Sequence, residues 1–213
     1  MSYNNLLIMG DSYSTFEGYI PEGFKPYYTI APREETDVNR VEQTWWHQLV
    51  AETGTNLVLN NSWSGSTICY TGYNGNDCSQ TSSFIYRFRQ LVKEGFFEKN
   101  KIDTLFIFGG TNDSWCGSPL GEPKYADWQE QDLYCALPAI SCLLKTARDQ
   151  LPDTKIYCLL NTDMKPEFYE VFGRSCELYG VTPVPLENIR KSHGHPTIEG
   201  MKDIKNQVLA KAK

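Results

Sequence analysis

Short apolar runs alternate along the chain with stretches in which apolar residues return every three to four positions. Five runs have the length and composition of buried strands: NLLIMG at 5–10, NLVLN at 56–60, TLFIFGG at 104–110, KIYCLLN at 155–161 and VTPVPL at 181–186. The two prolines of the last run cannot donate ladder hydrogen bonds, which puts it at a sheet edge. Between the runs, residues 41–54 set Trp45, Trp46, Leu49 and Val50 on one side of a helix, with Gly54 as its stop. Residues 82–95 carry Phe84, Ile85, Phe88, Leu91 and Val92 at helical spacing. Residues 126–150 also read as helix, with Pro138 predicting a kink or a break. Residues 165–180 open with proline near the first turn and close on Gly180, and a last helix follows His195.

Strand and helix in alternation predict a parallel sheet with helices on both faces. The fold class is therefore α/β, a three-layer flavodoxin-like sandwich of about five strands. No repeat, low-complexity tract or linker divides the 213 residues, which read as one domain. Two stretches, 12–40 and 111–125, are long for loops, and long loops in compact domains are usually functional. Ligands of such sheets bind beyond the carboxyl ends of the strands, so the residues just after each strand carry the information.

Composition narrows the function. Hydrophobic residues make up 40% and charged residues 22%, a globular balance, and the formal net charge of -6 disfavours a nucleic-acid partner. No apolar run approaches the length of about 18 residues that a membrane span needs. The first apolar run has no basic region before it and leads straight into Gly10-Asp11-Ser12, so it reads as a strand and not as a secretory signal. A cytoplasmic location follows, unless a leader has been removed. The seven cysteines are odd in number, contain no C-x-x-C and lack zinc-ligand spacing. Free thiols in a reducing compartment are expected, with a single disulfide such as Cys69 to Cys78 as the alternative. The acidic residues show no ligand spacing either, so neither metal nor cofactor is expected.

Four segments stand where chemistry is expected. Gly10-Asp11-Ser12-Tyr13-Ser14 follows the first strand, and Asn61-Ser62-Trp63-Ser64-Gly65-Ser66 the second. Gly109-Gly110-Thr111-Asn112-Asp113 follows the third, and Ser192-His193-Gly194-His195-Pro196 precedes the last helix. Taken singly, each has a plainer explanation: a turn exit, a turn glycine, a helix cap, a surface histidine. Together and in this order they resemble the SGNH hydrolases, the GDSL-like lipases and esterases, from residue 10 to residue 196.

The resemblance implies acyl transfer. Ser12 would be the nucleophile and His195 its base, and the backbone N–H groups of Ser12 and Gly65 with the Asn112 amide would form the oxyanion hole. His47, beside Trp46 on a helix, reads as structural. The family also places an aspartate three residues before its histidine. Here that position is Ser192, and no carboxylate lies between Glu187 and His195. The imidazole would then be oriented by Ser192 Oγ or a backbone carbonyl, or by a carboxylate from elsewhere, such as Asp113 or Glu199; otherwise the site is weakened. His193 is the rival base.

Tyr13, Phe16, Tyr19, Phe24, Tyr27 and Tyr28, with Trp63, Tyr70, Tyr73 and Trp115 on other loops, offer faces to a sugar or an acyl group, or else pack the loops on themselves. The substrate reading is a short acyl ester, such as an acetyl group on a carbohydrate. The alternative from another class is a catalytically weak glycan- or ester-binding module. A nucleotide binder fits poorly, because Phe16-Glu17 and a long proline-containing loop follow the hydroxyl-rich Ser12-Tyr13-Ser14-Thr15.

Overall fold

A computed structural model describes residues 3–213. Five parallel strands, β1 (Asn5–Gly10), β2 (Asn56–Ser62), β3 (Thr104–Phe108), β4 (Lys155–Leu160) and β5 (Thr182–Pro185), form one sheet in the order β2-β1-β3-β4-β5. The order reverses between β1 and β3, so the crevice of a doubly wound sheet opens there. β5 lies at the edge, as its prolines require.

Alternation along the strands builds two cores. Leu7, Met9, Leu105, Ile107, Ile156 and Cys158 face α2 (Phe84–Lys93), α5 (Ala136–Gln150) and α6 (Pro166–Tyr179). Leu6, Ile8, Phe106, Phe108, Tyr157 and Leu159 face α1 (Trp45–Thr53) and α7 (Ile198–Lys211). The short helices α3 (Phe96–Lys99) and α4 (Thr111–Trp115) complete the set. Gly54 and Gly180 end α1 and α6 in the left-handed conformation, as their places in the sequence predict.

Three expectations need correction. Residues 126–129 are not helical: a 3-10 turn covers Glu130–Tyr134, and α5 starts at Ala136. Pro138 therefore lies in the first turn of α5, where its missing N–H costs nothing, and it neither kinks nor breaks the helix. The stretch 111–125 is not all loop, because α4 takes its first turn and more. Before the last helix, β6 (Lys191–Ser192) and β7 (His195–Pro196) make a tiny hairpin that periodicity could not reveal. His193 and Gly194 form its turn, both at positive φ (47° and 76°), the geometry of a two-residue hairpin. All seven cysteines are free, so the Cys69–Cys78 alternative is not realised.

Candidate active site

Ser12, Gly65, Asn112 and His195 line one open cleft of about 410 Å³ at the carboxyl ends of β1, β2 and β3. Ser12 opens a 3-10 turn directly after β1; Asp11 caps it, its Oδ1 accepting the Tyr13 N–H at 3.0 Å. Gly10 admits no side chain, since a Cβ there would strike the Ser14 and Ser62 side chains. Ser12 Oγ and His195 Nε2 are 2.9 Å apart across 183 residues of sequence.

The other ring nitrogen of His195 meets a backbone group. Nδ1 lies 3.2 Å from the His193 carbonyl oxygen. A carbonyl only accepts, so Nδ1 carries the proton and Nε2 keeps its lone pair toward Ser12. Of the two neutral acceptors suggested by the sequence, the carbonyl holds this place. Ser192 Oγ instead bonds His193 Nδ1 at 3.1 Å, because the hairpin turns its hydroxyl to the neighbouring side chain. Neither proposed carboxylate reaches the imidazole. Asp113 accepts the N–H groups of Ile68 and Cys69 at 2.8 and 3.0 Å, and Glu199 pairs with Lys202 and Arg190. Burial holds the His195 pKa below the usual histidine value; the nearby charges of Arg33 and Lys191 push the same way, and the His193 carbonyl opposes them.

Aromatic residues do the orienting that a carboxylate usually shares. Tyr27 stacks on the imidazole, with ring centroids 3.6 Å apart and planes 7° apart. Arg33 covers the other face of Tyr27 at 4.8 Å. Tyr13 donates its hydroxyl to the Gly194 carbonyl at 2.6 Å, and Tyr28 donates to that of Pro196 at 3.1 Å. The residues on both sides of His195 are thereby tied to the loop that follows Ser12. Part of the tyrosine-rich loop that the sequence offers to substrate thus belongs to the histidine. Tyr13, Phe16, Tyr28 and Tyr70 are core residues, whereas Phe24, Tyr27, Trp63 and Tyr73 line open cavities.

Gly65 has φ of 78°, a conformation open to glycine and costly for a side chain, and no heavy atom lies where its Cβ would be. Asn112 lies in the first turn of α4; its Nδ2 donates to the Ser66 carbonyl at 3.0 Å, and Tyr73 donates to its Oδ1 at 2.9 Å. These two bonds fix which end of the amide faces the cleft, and the second N–H of Nδ2 is left for a ligand.

Arg87, not among the residues expected at the site, fastens the Gly65 side of the cleft. Fully buried on α2, it donates to the carbonyls of Ser82, Asn61 and Gly10, to Asn61 Oδ1 and to Ser66 Oγ, so all five of its N–H groups are used. The ends of β1 and β2 and the Gly65 turn are held by one guanidinium. Burial lowers its pKa to about 9 and raises that of Asp11 to about 7, while attraction between the two charges opposes both shifts. A signal was present: Phe84, Arg87, Phe88 and Leu91 share one helical stripe, and a charge on an apolar stripe needs a partner indoors.

Comparison with known proteins shows the family to which the chain belongs. The model of the GDSL-like lipase/acylhydrolase family matches residues 4–212. A structure from Bacteroides ovatus, described as a GDSL-like lipase, is 44% identical, with a TM-score of 0.90 over 99% of this chain and 98% of that one. A similarly described structure from Bacteroides uniformis is 38% identical, with a TM-score of 0.89 over 97% of this chain and 94% of that one. An acetyl xylan esterase from the rumen bacterium Butyrivibrio proteoclasticus shares the fold at 16% identity, with a TM-score of 0.61 over 99% of this chain and 63% of that one. Curated proteins gave no match. With nearly the whole chain covered by the family model, and two solved relatives aligned end to end, this protein belongs to the GDSL-like lipase/acylhydrolase family.

Proposed function

We propose that the protein is a serine esterase acting on short acyl esters, with an acetyl group on a carbohydrate as the best-fitting substrate. The observation that carries this reading is the 2.9 Å contact between Ser12 Oγ and His195 Nε2, in a cleft shared with Gly65 and Asn112. Ser12 Oγ attacks the ester carbonyl carbon while Nε2 takes its proton. The carbonyl oxygen becomes an oxyanion facing the N–H groups of Ser12 and Gly65 and the free N–H of Asn112. The tetrahedral centre expels the alcohol, which receives the proton from Nε2. Water then repeats the sequence on the acyl-enzyme and frees the acid and Ser12.

The His193 carbonyl fixes the tautomer but, being neutral, offers the imidazolium less than an aspartate would. The stacked Tyr27 ring supplies part of that support, since a π face attracts a cation. A short acyl group is favoured because polar side chains, Lys25, Ser64, Asn76 and Ser82, interrupt the aromatic lining of Tyr27 and Tyr73 around Ser12. Sharing the fold with an acetyl xylan esterase is consistent with an acetylated carbohydrate.

The experiment is hydrolysis of p-nitrophenyl esters of rising acyl length across a range of pH. Acetate is expected to turn over faster than octanoate. Catalysis needs neutral His195, whose pKa is lowered, so activity is retained as pH falls and the acid limb of kcat/KM lies below about 6.5. A limb above that value contradicts the carboxylate-free dyad. A folded protein that binds acetylated sugars without releasing acetate is instead a binding module, the outcome that the missing carboxylate favours.

A further inference from the structure

Beside the ester cleft lies a larger cavity of about 590 Å³, within the usual range for small-ligand sites. It runs between the end of edge strand β2, the outer side of α2 and the loop after Ser12. The two cavities adjoin at three places in the chain. Phe24, Trp63 and Thr81 line the larger one, and the next residues, Lys25, Ser64 and Ser82, line the cleft. A substrate whose ester lies at Ser12 has this cavity as its neighbour.

The floor is aromatic. Trp63 and Phe24 pair with ring centroids 4.4 Å apart at 40°, and Phe96, Leu59 and Leu91 continue the apolar surface. Around it stand the polar tips of Gln80, Thr81, Tyr86, Gln90 and Glu94. Among the described residues, none of these five side chains has a hydrogen-bond or ion-pair partner within the protein. That combination separates two occupants. An acyl chain would strip water from the half-buried Tyr86 and Gln90 and return no hydrogen bond, which is costly for a hydroxyl and an amide, while Gln80, Thr81 and Glu94 stand exposed at the rim. A sugar ring places its C–H face on an aromatic ring and its hydroxyls on amide, carboxylate and hydroxyl groups, so both surfaces are satisfied.

We infer that this cavity is a glycan subsite that holds sugar units beyond the one bearing the ester, with Trp63 as its platform. The inference rests on the esterase reading and makes the substrate an acylated oligosaccharide. Trp63 is the anchor because it is half-buried and belongs to the segment that presents Gly65 to the cleft.

The test uses p-nitrophenyl acetate, p-nitrophenyl octanoate, acetylated monosaccharides, and partly acetylated oligomers of β-1,4-linked glucose, xylose and mannose. For at least one oligomer, kcat/KM in the parent is expected to exceed that of its monosaccharide by about tenfold or more. In Trp63→Ala that ratio falls to near one, chiefly through KM, and Trp63→Phe restores part of it. Gln90→Leu with Glu94→Leu, which leaves the floor intact, lowers the same ratio and serves if Trp63→Ala does not fold. Four results overturn the subsite: no oligomer is preferred by a parent that hydrolyses p-nitrophenyl acetate; the ratio survives both variants; Trp63→Ala acts selectively on octanoate, marking an acyl pocket; or sedimentation shows a dimer that Trp63→Ala dissolves, marking a second copy as the occupant. Failure of the esterase reading looks different. The parent then releases no acetate, yet calorimetry shows the oligomers still binding and Trp63→Ala losing them.

Discussion

His195→Ala is expected to lower kcat for p-nitrophenyl acetate by about 10⁴-fold or more, while His193→Asn stays within about tenfold of the parent. Nε2 of His195 is the only ring nitrogen among the described residues that contacts Ser12 Oγ. Without it the hydroxyl keeps its proton at neutral pH and is a weak nucleophile. The His193 side chain faces Ser192; its contribution to the dyad is its backbone carbonyl, which asparagine retains. Asparagine also tolerates the positive φ of this turn position better than most residues. Circular dichroism of both variants establishes folding, and steady-state rates then decide. A large loss in His193→Asn together with an active His195→Ala would reassign the base.

Asn112→Ala is expected to lower kcat by about 10²–10³-fold, or about 2.7–4 kcal/mol of barrier, with a smaller effect on KM. The amide is held from both sides, by Tyr73 on its oxygen and by the Ser66 carbonyl on one N–H, so its remaining N–H is already oriented when the oxyanion forms. Preorganisation of this kind acts mainly on the transition state, which is why kcat carries the loss. Loss confined to KM would make Asn112 a ground-state contact and remove it from the oxyanion hole.

The chain announces its fold and the residues of its candidate site more clearly than the way they are held. Strands β1, β3 and β4 are continuous apolar runs because they are covered on both faces, and such runs stand out without neighbours to compare. Ser12, Gly65, Asn112 and His195 stand at strand ends or beside the last helix, where the topology draws them together. The hairpin around His195 is not legible in the sequence because two-residue strands have no period. Pro138 is ambiguous in the sequence, which does not show how close to it α5 begins, and the cost of a proline depends on its turn. The support of His195 was least legible. Stacking by Tyr27 and carbonyl contacts by Tyr13 and Tyr28 join residues about 170 positions apart, and a tyrosine-rich loop has the same composition whether it faces a ligand or the protein.

The most direct measurement is hydrolysis of p-nitrophenyl acetate by the parent and by Ser12→Ala, side by side at neutral pH. The dyad predicts turnover by the parent and none above background by the variant. Equal rates in the two proteins, or a folded parent with no turnover, would contradict it.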